Sequence, residues 1–238
     1  MITENENDIK HGISHDIKNL LSNISNLCIL FFQIEQENRS EDALKITQMI
    51  LRLSQESLFL LSNSNYLDNK VPRKVESKFL ILNDLISDRA IWLYKHNAKS
   101  KKIRFVLKMP RKRLMVWFNE IDFFRMLDNL VSNAIKFTPL GGKVVLTAQT
   151  KDKTILISVM DTGIGIPLNH QKELFTSNLA TKRRGTNNEL SSGIGLVVVK
   201  KIVDENGGAV WFDSDLKKGT TFYVALPKGN KLIDLIYV

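Results

Sequence analysis

Between Ile13 and Phe31 the apolar residues include Ile13, Ile17, Leu20, Leu21, Ile24, Leu27, Cys28 and Phe31. At about 100° per residue they fall in one arc of roughly 120°, which predicts one amphipathic helix from Ile9 to about Glu37. The polar stretch Asn38-Arg39-Ser40 breaks the pattern. Ser40, followed by Glu41 and Asp42, reads as a cap with an acidic first turn, opening a second helix from about Glu41 to Tyr66. The apolar positions of that helix (Leu44, Ile46, Met49, Ile50, Leu51, Leu53, Leu58, Phe59, Leu60, Leu61) spread around most of its circumference. Such a helix needs cover on several sides. One hairpin cannot supply it, but two hairpins packed as a four-helix bundle can, so the pattern predicts a homodimer through residues 1–70.

Charges and Pro72 interrupt the pattern between Asp68 and Ser77, giving a linker at 71–78 and a second segment at 79–238. There the period keeps changing. Helical spacing is expected at Asn83–Ala98, Asp122–Phe137 and Gly195–Glu205, the last ended by Asn206-Gly207-Gly208. Strand-like runs are expected at Ile103–Leu107, Leu114–Phe118, Val144–Thr150, Thr154–Met160, Ala209–Asp213 and Thr221–Leu226. Strand pairs with few helices predict an α+β sandwich, a mixed sheet covered by helices, rather than a parallel doubly wound sheet.

Composition narrows the class. With 43% hydrophobic and 25% charged residues the chain is an ordinary globular one. It has no run of about 20 apolar residues and no basic or apolar leader, which fits the cytoplasm without direct membrane insertion. The single cysteine, Cys28, excludes an internal disulfide and a cysteine-built metal site. The net charge of +9 is uneven: residues 1–70 carry −4 and residues 71–238 carry +13. The basic segment suits a polyanionic ligand. No basic stripe is interleaved with aromatics, which places a nucleotide ahead of nucleic acid.

Candidate chemistry begins on the helix at Asp122–Phe137. Asn129, Asn133 and Lys136 lie within about 60° of one another, opposite an apolar arc. Asn is a weak helix former and a poor choice for a plain solvated face. Its amide oxygen ligates Mg²⁺ without adding charge, and a lysine one turn on reaches a phosphate. Asp161-Thr162-Gly163-Ile164-Gly165-Ile166-Pro167 follows directly on a strand. Its glycines permit close backbone approach, and its carboxylate can accept a hydrogen bond from an exocyclic amino group such as that of adenine. Ser191–Leu196 adds a second glycine pair at a helix start, where free N–H groups favour phosphate. Gly219-Thr220-Thr221-Phe222 leads into the last strand.

In this order, NLVSNAIKFTP, DTGIGIP, KELF, SSGIGLVVVKKIVDENGG and GTTF strongly resemble the ATP-binding domain of two-component sensor histidine kinases. That domain has the Bergerat-type fold shared with type II topoisomerases, Hsp90 and MutL. SHDIKNLL (Ser14–Leu21) resembles the phosphoacceptor box of the kinase dimerisation domain. The boxes extend from about residue 9 to 227, and the G-x-x-x-x-G-K-[ST] loop of other nucleotide binders is absent.

The resemblance implies that residues 1–70 dimerise and carry the phosphoacceptor, and that 79–238 bind ATP. It implies Asn133 as the Mg²⁺ ligand, Asn129 beside it and Lys136 on phosphate. Phe137 would pack beside adenine and Asp161 would bind its amino group, with Gly163 and Gly165 shaping the floor. Ile166 and Leu196 belong to the same set, Gly193 and Gly195 would meet the phosphates, and Thr220 would support the base pocket. The loop from Pro167 to Ser191 would be an ATP lid anchored by Leu174 and Phe175.

His15 would attack the γ-phosphorus and Asp16 would orient its ring. The helical wheel independently sets His15 opposite the apolar arc. The phosphoryl group would then pass to an Asp of a response regulator receiver. Asn19, four residues after His15, stands where related kinases position water for dephosphorylating that regulator. His11 matches no box, and His96 and His170 read as surface residues.

Three features depart from the family pattern. No Pro follows the acceptor box, the second glycine box opens with Ser191, and Lys182, Arg183 and Arg184 sit in the lid as either γ-phosphate contacts or a solvated charge run. The alternative readings are a non-catalytic ATP-binding dimeric scaffold and a phosphotransfer protein fed by another kinase. For the predicted dimer, light scattering after size exclusion at micromolar concentration should give twice the 27.2 kDa of one chain. A monomer would refute it.

Overall fold

The computed structural model describes residues 17, 19–31, 33–34, 40–62, 76–176, 185–186 and 195–229. The chain divides into two compact units. One is Met1–Arg73 with Ile91–Leu93, and the other is Lys74–Ala90 with Tyr94–Val238.

In the first unit, helix α1 covers 19–31 and helix α2 covers Ser40–Ser62. Leu20, Leu27 and Ile34 are buried, as are Ala43, Ile46, Met49 and Leu53 of α2. Ser57 continues that buried stripe, its hydroxyl donating to the Leu53 carbonyl one turn back at 2.8 Å. Leu21, Ile29, Leu44 and Leu51 are each more than half exposed. An apolar set larger than one hairpin buries is what the pattern predicts.

The second unit is built on a five-stranded mixed sheet ordered β2-β4-β5-β7-β6: β2 (Arg104–Lys108), β4 (Lys143–Lys151), β5 (Thr154–Asp161), β6 (Ala209–Asp215) and β7 (Gly219–Pro227). Only the β2–β4 pair is parallel. Strand β1 (Lys78–Ile81), which lies in and just past the expected linker and was not foreseen, pairs antiparallel with β3 (Met115–Phe118) in a separate two-stranded sheet.

Alternation along β5 sends Ile155, Ile157 and Val159 to the inner face, and β7 sends Phe222, Val224 and Leu226 there. Helices α5 (Glu120–Phe137) and α7 (Gly195–Glu205) cover that face with Leu127, Leu130, Val131, Val198, Val199 and Ile202, all about 1% exposed or less. Helix α5 starts two residues earlier than its periodicity suggests, because Asn119 caps it: the Asn119 carboxamide oxygen accepts the Asp122 N–H at 3.0 Å. At its other end the Lys101 ammonium donates to the carbonyls of Ile135 and Lys136, at 3.1 and 2.6 Å. After the short helix α6 (Leu168–Gln171), helix α7 ends as expected, with Gly207 at φ +64° and the Gly208 N–H returning to the Val203 carbonyl at 2.9 Å.

The helix expected over 83–98 is not continuous. It runs as α3 (Leu82–Arg89), a π-helical turn (Ala90–Tyr94) and α4 (Lys95–Ser100). The cause lies in chemistry that periodicity does not register. Arg89 is 1% exposed, with its guanidinium 4.3 Å from the centre of the Phe124 ring. It meets both carboxylate oxygens of Asp128, and Tyr94 donates its hydroxyl to Asp128 Oδ1 at 2.5 Å. Arg89 and Tyr94 are five residues apart, the repeat a π turn brings into line. Breaking a buried pair strands its partner, whereas replacing both members with apolar groups costs little. Asp128→Asn should therefore lower unfolding stability by about 3–5 kcal/mol, and Arg89→Met with Asp128→Leu should recover most of it. Urea midpoints measure both.

Candidate active site

The inward row of β5 that carries Ile155, Ile157 and Val159 ends on Asp161. A carboxylate thus takes a core position, 6% exposed, at the rim where the apolar layer stops. Asp161 pairs with Val144 of β4, and the β5–β7 register brings it alongside Thr220. Its Oδ1 accepts the Gly163 N–H at 2.8 Å and the Thr220 N–H at 3.2 Å. No described residue donates to Oδ2, which is left to bind something else. Burial pushes the carboxyl up to about 6, against the opposing pull of the two amides. A buried, half-satisfied carboxylate with a raised pKa is a recurring mark of a functional site.

The surroundings close tightly on this group. A Cβ on Gly163 would lie 2.5 Å from the Phe137 carbonyl and 2.6 Å from Asp161 Oδ1. Gly219, at φ +108°, brings its backbone so close to the Asp161 carbonyl that any side chain would collide. Gly165 packs in the same way against the backbone of Asp215 and joins the loop to the β6–β7 turn.

Ser214 ties these pieces together. Its hydroxyl accepts the Ile166 N–H at 2.9 Å, lies 3.2 Å from the Gly219 carbonyl and shares a 2.9 Å hydrogen bond with Thr220 Oγ1. The Gln171 amide donates to the carbonyls of Ile166 and Ser214. Nothing in the sequence marks Ser214 or Gln171, because only strand register and tertiary packing bring them here.

Helix α5 borders the same region. The Phe137 carbonyl accepts the Ile164 N–H at 3.2 Å. Asn129, Asn133, Lys136 and Phe137 are half-buried, on the less covered side of a helix whose other positions are largely buried. Asn129 donates to the Arg125 carbonyl at 2.8 Å, which turns its Oδ1 toward Gly195. That oxygen lies 2.4 Å from where a Gly195 Cβ would stand, so Gly195 lets the start of α7 approach α5 closely. Leu196 beside it is half-buried. Among the described residues no group of three His, Cys, Asp or Glu side chains could hold a metal ion. A cation here would have to use neutral amides and the ligand's own oxygens, and Asn133 and Asn129 are donors of that kind.

Thr186 was also unforeseen. Its N–H and hydroxyl both reach the Lys136 carbonyl at 3.1 Å, and the hydroxyl reaches the Thr138 carbonyl at 3.0 Å. Phe175 packs against Phe212 and Phe222, with ring centres 5.9 and 6.5 Å away, and Leu174 beside it is half-buried. Asn19 is exposed on α1. His15, Asp16, Gly193, Ser191, His11 and the lid cations Lys182, Arg183 and Arg184 lie outside the described residues.

Residues 118–230 match the family of histidine kinase-, DNA gyrase B- and HSP90-like ATPases. The chain is 33% identical over 132 residues to the sensor histidine kinase WalK of Bacillus subtilis, a match covering 55% of this chain and 22% of that protein. The chain therefore spans less than a quarter of the length of that relative. The catalytic domain of the histidine kinase ThkA superposes with a TM-score of 0.55 at 26% identity, covering 64% of this chain and 96% of that one. ThkA in complex with the response regulator TrrA has a TM-score of 0.54 at 24% identity, covering 91% of this chain and 60% of that one. The mixed sheet with its helical layer is the Bergerat ATPase fold, and these matches support a two-component histidine kinase core.

Proposed function

We propose that this chain transfers the γ-phosphoryl group of ATP to His15 and then passes it to an Asp of a response regulator receiver. The observation that carries the reading is Asp161. A buried carboxylate with one oxygen held by two amides and the other open is built to accept an exocyclic amino group, as adenine offers. Gly163 and Gly219 clear the backbone around it, Phe137 borders the base, and Thr220 and Ser214 hold the pocket wall. Ile166, Gly193, Gly195 and Leu196 complete the nucleotide contacts.

Asn133, with Asn129 beside it, would hold Mg²⁺, which when bound neutralises phosphate charge, and Lys136 would add a cation on the phosphates. A neutral imidazole nitrogen of His15 attacks the γ-phosphorus in line; the new N–P bond forms as the bond to the β–γ bridging oxygen breaks and ADP leaves. Asp16 accepts a hydrogen bond from the other ring nitrogen and stabilises its growing positive charge. Asn19, exposed on α1, would position water for dephosphorylating the regulator. Residues 1–70 would supply the homodimer. The ThkA–TrrA complex supports a receiver as the partner class.

Incubation with Mg-[γ-³²P]ATP should give acid-labile, alkali-stable label, absent from His15→Ala and Asn133→Ala. Nucleotide binding without label would favour the non-catalytic scaffold. Label appearing only after a second kinase is added would favour the phosphotransfer protein.

The titration of Asp161 gives a second test. Burial raises its folded pKa above the ordinary 3.8, to about 6. The protonated form is therefore the one folding favours, and the empty domain loses stability as pH rises from about 4 to 6. A bound amino group favours the carboxylate, so nucleotide binding should release protons near pH 6 and weaken as pH falls below it. Calorimetry of ADP binding in buffers of different ionisation enthalpy measures this. Asp161→Asn should lose about 10–100-fold in affinity, lose the pH step, and raise empty-domain stability at pH 7 by up to about 3 kcal/mol. An unchanged pH profile would remove Asp161 from the site.

A further inference from the structure

From Lys95 to Arg113 the chain carries nine Lys and Arg and no Asp or Glu. Eight of the nine are exposed: Lys95, Lys99, Lys102, Arg104, Lys108, Arg111, Lys112 and Arg113. None of these eight forms an ion pair with a described residue. The ninth, Lys101, is buried with its ammonium on the end of α5.

The fold gathers the central members on one edge. Strand β2 is terminal in the five-stranded sheet, and α4 packs beside it. Arg104 and Lys108 occupy alternate positions on β2, and Lys143 is the register partner of Arg104. The neighbouring register pair, Phe105 with Val144, belongs to the helix-covered face, so Arg104, Lys108 and Lys143 share the opposite, uncovered face.

A second observation stands apart from the charge. Leu140 is 70% exposed, at the tip of the turn after α5. That turn is stitched to the basic edge: the Gly141 N–H donates to the Lys102 carbonyl at 3.1 Å, and the Arg104 N–H donates to the Gly142 carbonyl at 2.9 Å. A protruding leucine thus sits beside Lys102, Arg104 and Lys143.

We propose that this edge adsorbs to an anionic lipid surface, the cations meeting headgroup phosphates and Leu140 entering the interface. Exposed cations beside one apolar tip match a charged bilayer. Single-stranded nucleic acid calls instead for exposed aromatic platforms. The only aromatic between Lys95 and Arg113 is Phe105, half-buried and 5.8 Å from the Tyr94 ring. None of these cations is a residue assigned to the nucleotide pocket, and ADP affinity reads that pocket by itself, so the two readings fail independently.

The test is sedimentation of the whole chain with vesicles of phosphatidylcholine alone or with 30% phosphatidylglycerol, with ADP affinity as the folding control. Binding should require the anionic lipid and fall as salt rises from about 50 to 200 mM. Lys99→Gln with Arg104→Gln and Lys108→Gln should weaken it about 100-fold, at roughly fivefold per charge. Leu140→Ser should weaken it severalfold with charge unchanged. No difference between the two vesicle types would overturn the proposal. So would indifference to Leu140→Ser together with equal retention on duplex DNA, which marks a general polyanion surface.

Discussion

Everything at the site depends on one carboxylate placed where a core residue belongs. Asp161 continues the inward row of Ile155, Ile157 and Val159, so strand alternation alone buries it. Burying a charge is unfavourable unless it is hydrogen-bonded, and here two backbone amides supply only part of what it needs. The remainder fits a ligand's donor. The glycines follow from the same constraint: for the Gly163 N–H to reach Oδ1, and for Gly219 to pass the Asp161 carbonyl, neither residue can carry a Cβ. The pocket is thus a consequence of where a strand ends.

Two unrelated devices keep α5 in register with that strand end. At its C-terminus, Lys101, Thr186 and the Ile164 N–H converge on the carbonyls from Ile135 to Thr138. One helical turn and more upstream, Arg89 and Tyr94 converge on Asp128. Asn129 and Asn133 lie between the two anchors. Rotating α5 to move them would break a buried ion pair at one end and several carbonyl bonds at the other. Such a helix presents its side chains in a fixed direction, which phosphoryl transfer demands, because its catalysis is mostly positioning.

Much of this was legible in the chain. Periodicity located α5, α7 and most strands of the main sheet within a few residues, because each has one buried face and a clear stop signal such as Asn206-Gly207-Gly208. Asp161 and its glycines could be singled out because a carboxylate and two glycines after an apolar run have few structural uses. Other parts were invisible for a common reason: they depend on partners far away in sequence. Ser214 is an ordinary strand serine until register sets it against Thr220. The π turn exists because Asp128, more than thirty residues on, accepts from both Arg89 and Tyr94. Strand β1 is only four residues long and follows the charged linker, where no alternation could develop.

The electrostatics of the second unit follow a division of labour. The buried cations Lys101 and Arg89 are committed: Lys101 caps a helix, and Arg89 is matched by Asp128. Those on the β2 edge face solvent and form no ion pair with a described residue. Like charges held close together repel and reduce stability, so clustering them along one strand and its neighbouring helix opposes folding slightly. Exposed ion pairs would relieve this at little cost, and the chain forms them elsewhere, as Lys200 does with Asp204. Strand β2 contains no acid between Arg104 and Lys108, and neither does the loop that follows it. An edge strand of a sheet also gains protection from unwanted strand pairing when it carries Lys and Arg. That role accounts for Arg104 and Lys108 but not for the half-dozen other cations around them, nor for a leucine raised beside them. The excess over edge protection is what an anionic surface would explain.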